Sequence, residues 1–166
     1  MSIVKELFGK EKPIIGMVHF PPLPGSPLYN DDKGIDYILE RVRHDLNALQ
    51  NGGIDAVMFC NENDRPYKLN ADYATVATVS RVIGELIDEI TVPFGIDILW
   101  DPYAAIAVAK ATGAKFIREI LTGVYVSDMG LWNTSVGDLY RYRKLLDASN
   151  IAVFFNISAE YVHIWG

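Results

Sequence analysis

The sequence predicts an α/β fold built on a parallel sheet, and three observations carry that prediction. Five short apolar runs, at residues 14–18, 54–59, 93–100, 115–121 and 151–157, have the length and the β-branched, aromatic character of strands covered on both faces. Between them lie segments whose apolar residues recur three and four apart, the period of an amphipathic helix. Each apolar run then empties into polar residues, which is where parallel α/β sheets place their chemistry. The order is β-α four times and then a fifth β, which implies right-handed crossovers. Periodicity does not separate an open sheet from part of a barrel.

Residues 1–12 carry Ile3, Val4, Leu7 and Phe8 and are expected to form a short amphipathic turn across the end of the domain. The first strand, ending on His19, runs into a loop in which Pro21, Pro22, Pro24 and Pro27 cannot donate to a ladder, so pairing stops there. Asn30, Asp31 and Asp32 offer helix N-caps, and Ile35, Leu39, Val42, Leu46 and Leu49 follow at helical spacing up to Asn51-Gly52-Gly53. The second strand ends in a polar string from Cys60 onward. Its helix bears Val76, Val79, Ile83, Leu86 and Ile90, with Asn70 or Asp72 as cap. The third strand, P-F-G-I-D-I-L-W, precedes Asp101-Pro102, an N-cap acid followed by proline at the first helical position. That alanine-rich helix stops at Gly113. After the fourth strand a long loop spans residues 122–133 before a helix bearing Leu139, Tyr142 and Leu146. Residues 158–166 leave room for two turns of helix.

The chain has 166 residues, half of them hydrophobic, with 21 acidic and 15 basic side chains. It reads as one domain over residues 1–166, too short for a complete eight-unit barrel. Nucleic acid is not an expected partner, because no Lys/Arg stripe is available to neutralise a phosphate backbone. Residues 1–12 have no signal-peptide core, no apolar run approaches a membrane span, and the single cysteine suits a reducing compartment, so a cytoplasmic location is expected. Neither G-x-G-x-x-G after the first strand nor G-x-x-x-x-G-K-[ST] occurs, so the dinucleotide and NTPase phosphate loops have no support.

The polar residues at or beyond strand ends are His19, Asn61, Glu62, Asp97, Asp101, Arg118, Glu119, Asp128 and Asn156. Alternation puts Gly95, Asp97 and Leu99 on one side of the third strand, and Phe94, Ile96, Ile98 and Trp100 on the helix side. An inward Asp97 needs a partner such as Arg118 or a ligand, because an unpaired buried carboxylate is costly. A structural ion pair and a substrate site are equally open for these two. Imidazole at a strand mouth suits acid-base work, although His19 can also simply cap its strand. Arg118 and Glu119 have opposite parity, so only one of them faces inward. Asp101 reads as a helix cap, Asn61, Glu62 and Asp64 as turn formers or binding groups, and Cys60 as a small buried residue rather than a nucleophile. Glu62, Asp97 and Asp128 carry the oxygen ligands that magnesium takes, but they share no fixed spacing. His19, His44, His163 and Cys60 have no zinc-ligand spacing either. No resident cofactor is expected, and a divalent metal such as magnesium stays open.

Four motifs in order, G-M-V-H-F-P-P-L-P-G-S-P at 16–27, N-G-G-I-D-A-V-M-F at 51–59, V-P-F-G-I-D-I-L-W-D-P at 92–102 and A-T-G-A-K-F-I-R-E-I-L-T-G at 111–123, resemble the BtpA/SgcQ family over essentially the whole chain. The second and third lean toward the SgcQ branch, associated with bacterial carbohydrate-utilisation gene clusters; the BtpA branch is named for photosystem I biogenesis. The resemblance implies a partial TIM (βα)8 barrel, (βα)4 plus a fifth strand, of the kind that binds phosphorylated small molecules. By position, His19, Asn61, Asp64, Arg118, Thr122, Asp128 and Gly130 match residues that recur in family motifs. Departures fall at Cys60, where many relatives have glutamate, at Asp97, where they have asparagine, and at Phe155-Asn156-Ile157 in place of Asp-x-His. Relatives continue through three more βα units, so the chain is expected to be the N-terminal part of a barrel, dimeric or poorly stable by itself, with impaired catalysis.

The functional expectation is an enzyme acting on a small phosphorylated metabolite, as an isomerase, lyase or phosphohydrolase. His19, Asp97 and Glu119 are its catalytic candidates, and Asn61, Asp64, Arg118, Thr122, Asp128 and Asn156 its substrate-binding candidates. The alternative is a non-catalytic accessory protein for biogenesis of a membrane complex, binding through residues 1–8 or an exposed face. The partners expected are therefore a phosphorylated small molecule, a second copy of the chain and, in the alternative, a peripheral membrane contact.

Overall fold

A computed structural model describes residues 2–157 and 163–164. Its elements follow the expected alternation: α1 (Ile3–Phe8), β1 (Ile15–His19), α2 (Gly34–Asn51), β2 (Ala56–Cys60), α3 (Tyr73–Leu86), β3 (Phe94–Asp97), α4 (Pro102–Thr112), β4 (Phe116–Glu119), β5 (Val124–Ser127), β6 (Gly130–Asn133), α5 (Val136–Leu145), β7 (Ala152–Phe155) and β8 (His163–Ile164). Strands β1, β2, β3, β4 and β7 form one parallel sheet in that spatial order, each lying beside the next strand of the same sheet, with β5 and β6 intervening in sequence between β4 and β7. Among the described residues the outer edges of β1 and β7 have no neighbour in this sheet.

The two faces of the sheet are packed differently. Val18, Val57, Phe59, Phe94, Ile96 and Ile117 join Ile38, Val42 and Leu46 of α2, Val79, Val82 and Ile83 of α3 and the alanines of α4 in the main core. The opposite face presents Ile15, Met17, Ala56, Met58, Phe116 and Phe154, and α1 closes one end of it. Phe8 packs edge-on to Phe116 with ring centres 5.4 Å apart and stacks on Phe154 at 6.3 Å. The expected amphipathic turn thus forms, and it is used as a plug on the inner face.

Helix ends follow local chemistry. Asp72 caps α3 by accepting from the Thr75 amide at 2.9 Å, and Asp101 caps α4 by accepting from Tyr103 and Ala104 at 3.0 and 3.1 Å. The second Asp101 oxygen accepts from the Ala71 amide at 3.0 Å, so one carboxylate ties the loop before α3 to the start of α4. Helix α2 begins later than the Asn-Asp-Asp run suggests. Asn30 instead folds back on the Lys33 amide at 3.2 Å, a local turn that precedes the helix.

Four expectations are corrected. The third strand ends at Asp97, not at residue 100, because the Ile98 and Leu99 amides leave the ladder for the side chains of Glu119 and Asn61. Trp100, assigned to the helix side, lies instead in a separate cluster with Ile120, Tyr125 and Trp132. The segment expected as a loop over residues 122–133 is an antiparallel hairpin, β5 with β6, turning at Asp128-Met129 with Gly130 at φ 100°. Helical turns were expected over residues 158–166; the described part, β8, pairs antiparallel with β5, and the remainder lies outside the described residues.

Candidate active site at the strand mouths

The carboxyl ends of β1 to β4 bring together residues that are far apart in sequence. Strand register places His19 beside Cys60 and Cys60 beside Asp97, all with inward parity. Arg118 shares that parity on β4, and its guanidinium donates to Asp97 at 2.6 Å. The pair is asymmetric: the Asp97 side chain is 2% exposed, while that of Arg118 is 41% exposed. Within the arginine, Nε is enclosed and has no hydrogen-bond partner among the described residues, and the same holds for Trp100 Nε1.

Glu119 resolves the parity question left open by the sequence. It lies behind the mouth, 4% exposed, and accepts from the Ile98 amide at 3.1 Å. The residue therefore braces the end of β3. Asn61 is buried and accepts from the Leu99 amide at 2.9 Å. Asp64 accepts from the Leu23 amide at 3.4 Å and the Thr75 hydroxyl at 3.2 Å, tying the proline-rich loop to α3. Thr122 and Asp128 are exposed at the start and tip of the hairpin, and Asn156, at the end of β7, donates its amide to the Glu119 carbonyl at 3.1 Å. The mouth thus gathers His19, Asp97 and Arg118, with Asn61 and Glu119 as supports, while Asp64, Thr122, Asp128 and Asn156 belong to the surrounding loops and rim.

Aromatic side chains wall one side of the site. Trp100 meets Trp132 edge-on at 5.3 Å, Tyr67 meets Trp100 at 6.2 Å, and Tyr125 lies 5.5 Å from Trp132. Sequence reasoning missed this wall because Tyr125 and Trp132 sit on the unforeseen hairpin. It also missed that His19, Cys60 and Glu62 place one ligand-capable atom each within 4.8 Å of one another. Among the described residues this is the cluster able to hold a metal ion; Glu62, Asp97 and Asp128 do not come together. The sequence shows that His19 and Cys60 each end a strand, but their adjacency comes from the β1–β2 register.

Burial sets the protonation chemistry. It raises the Asp97 carboxyl to about 6 against the pull of Arg118. Burial and the Asp97 charge push Glu119 well above the usual carboxylate range. Burial, followed by the charges of Asp97, Glu62 and Glu119, does the same to the Cys60 thiol. Tyr67 is pushed up to about 12 by burial and by its hydrogen bond to Glu62. Raised carboxyl pKa values mean that the folded protein holds protons which the unfolded chain has released. This stabilisation is complete below the unfolded value near 3.8 and is lost as pH rises through about 6. Asp55 and Asp72 are shifted the other way, and their contribution is lost in stronger acid. The protein is therefore expected to be more stable at about pH 5 than at about pH 8, by on the order of 2 kcal/mol, and Asp97→Asn should flatten that slope. Thermal melts across this range check it; a melting temperature that climbs from pH 5 to pH 8 contradicts it.

A profile of the BtpA family matches residues 10–165. The chain belongs to the BtpA family. It is 46% identical to the SgcQ protein of the sgc region of Escherichia coli K12, over 96% of this chain and 60% of that protein. It is 33% identical to the photosystem I biogenesis protein BtpA of Synechocystis, over 97% of this chain and 56% of the relative. This BtpA-family chain thus spans under two thirds of the length of those curated relatives. In structure it resembles 7,8-dihydropteroate synthase from Vibrio fischeri, a TIM barrel, with a TM-score of 0.59 at 13% identity, over 90% of this chain and 47% of the synthase. That likeness establishes the fold alone, a parallel sheet that makes part of a TIM barrel. The synthase's activity is not carried over.

Proposed function

We infer that the complete protein is a TIM-barrel enzyme acting on a small phosphorylated metabolite of the sugar-phosphate class at the mouths of β1 to β4. One observation carries this reading. Arg118 is anchored on the buried Asp97 carboxylate, yet it keeps an open guanidinium tip at the mouth and an Nε with no partner among the described residues. An enclosed donor left unpaired costs about 1–3 kcal/mol, so the arrangement favours an oxyanion that takes up the remaining donors. In this reading Arg118 grips the anionic group, His19 and Asp97 exchange protons with the substrate, and Glu119 is a positioning residue through Ile98. Asn61 and Asp64 hold the loops in place. Thr122, Asp128 and Asn156 supply rim contacts. Location at the carboxyl ends of parallel strands supports it, since barrel enzymes place their sites there.

The accessory role in a membrane complex has the name of the Synechocystis relative in its favour. Against contact through residues 1–8, Phe8 packs inward on Phe116 and Phe154.

Native mass spectrometry of the complete protein from its own host, purified without chelator, tests the reading. The expected result is a co-purified phosphorylated metabolite. Arg118→Lys retains the charge but loses the fork, and is expected to weaken its binding by about tenfold or more. A protein that carries no such metabolite and gains no thermal stability from any sugar phosphate overturns the reading.

A further inference from the structure

We propose that His19, Cys60 and Glu62 form a binding site for a zinc-class divalent ion at the mouths of β1 and β2. The inference goes beyond the substrate reading and does not depend on it. Imidazole nitrogen, thiolate sulfur and carboxylate oxygen are the three donor types that zinc takes, and the three ligand-capable atoms already lie within 4.8 Å of one another. Three protein ligands leave one tetrahedral position open, the arrangement of zinc sites that do chemistry rather than hold a fold. Sulfur in the set selects against magnesium and calcium, which take oxygen.

The positions are set by the backbone. His19 and Cys60 are register partners across the β1–β2 ladder, and the Phe20 amide donates to the Cys60 carbonyl at 2.8 Å, fixing the exit of the first strand against the second. Glu62 is held from behind. The Tyr67 hydroxyl lies 2.9 Å from its Oε1 and 3.0 Å from its carbonyl, the kind of support that orients a ligating carboxylate. His19 is exposed, which gives an ion a path in from solvent, while Cys60 is buried at the base.

The surroundings favour a cation. Ladder register sets the Asp97 carboxyl beside Cys60, and Glu62 supplies a second acidic group within the cluster itself. A divalent ion at this point would offset the acidic charge of these two groups.

The test uses the complete protein with cobalt alone and then zinc alone, in the absence of substrate. Cys60 is the single cysteine of these 166 residues, and loss of a sulfur-to-cobalt charge-transfer band in Cys60→Ser assigns that band to it. The expected result is about one cobalt per chain with a tetrahedral spectrum that zinc displaces. Cys60→Ser should abolish the charge-transfer band. His19→Gln and Glu62→Gln should weaken zinc binding by on the order of 100-fold or more, beyond what loss of an outer-shell partner costs. His44→Gln, outside the cluster, should leave binding unchanged. Because His19 is exposed, its variant keeps the test decisive even where Cys60→Ser does not fold. No charge-transfer band at saturating cobalt, zinc affinity unaltered in folded His19→Gln, or zinc binding lost with His44 each overturns the proposal. A bound phosphorylated metabolite without metal defeats this inference alone, and metal without such a metabolite defeats the substrate reading alone.

Discussion

Gly95→Ala is expected to destabilise the protein by about 3 kcal/mol, the high end of the cost of overpacking a core. Gly95 lies on the inner face of β3, in register with Met58 on one side and Phe116 on the other. The Phe116 ring lies over it, so a Cβ added there would sit well inside van der Waals contact with Cδ2, Cε2 and Cζ of that ring. The ring is confined on two sides, and its free space is the inner-face cavity it shares with Met17, Met58 and Arg118. Phe116 is 1% exposed, with Phe8 edge-on at 5.4 Å and Phe154 edge-on at 5.6 Å. A single methyl must therefore force the ring off its contacts with Phe8 and Phe154 toward that cavity, or displace the β3 backbone that carries Asp97 two residues on. Denaturant unfolding at unchanged slope measures the loss, which is large against a total of roughly 5–15 kcal/mol for a domain. Phe116→Leu in the same background should recover part of it, giving a favourable coupling in the double-mutant cycle. A Gly95→Ala protein within about 0.5 kcal/mol of the parent, below the ordinary cost of overpacking, would show that the ring yields and that the inner face is loosely packed.

Most of the sheet was legible in the sequence because its physics is local. Ile54 to Cys60 and Phe94 to Asp97 are apolar enough to be strands buried on both faces, and the spacing of Val42, Leu46, Val79 and Ile83 names the helix faces that cover them. What stayed hidden depends on partners distant in the chain. The β5–β6 hairpin reads as a loop because it is short and carries Gly123, Asp128 and Gly130; its stability comes from Tyr125 and Trp132 packing on Trp100 and Ile120. Ile98 and Leu99 look like strand residues by hydropathy, but buried Glu119 and Asn61 claim their amides. Alternation alone was able to place Asp97 on the inner face and suggest Arg118 as its partner, and the 2.6 Å contact agrees. Parity could not choose between Arg118 and Glu119, since that choice is fixed by how β4 aligns with β3. Likewise, 41 residues separate His19 from Cys60 along the chain, and only ladder register makes them neighbours.

Arg118→Met is expected to cost about 2 kcal/mol at neutral pH, with most of the loss arising at Asp97 rather than at the arginine. Breaking a fully buried ion pair by removing one partner costs roughly 3–5 kcal/mol, because the other charge is stranded. Here only one side is buried: Asp97 is enclosed, whereas the Arg118 tip reaches solvent, where screening has already weakened its share of the attraction. Discounting for that exposure gives the lower figure. Without the guanidinium, burial and the nearby Glu62 charge act on Asp97 unopposed, so its carboxyl rises further above about 6 and takes up a proton. The penalty should accordingly shrink as pH is lowered toward about 5, where protonation removes the stranded charge. Asp97→Asn combined with Arg118→Met should recover most of the loss, since two neutral side chains leave no buried charge to compensate. Urea unfolding of the four proteins of this cycle at the two pH values separates the contributions. A loss that is independent of pH, or a double variant no better than Arg118→Met alone, would place the cost in lost arginine packing and remove the ion pair as the organising contact of the mouth.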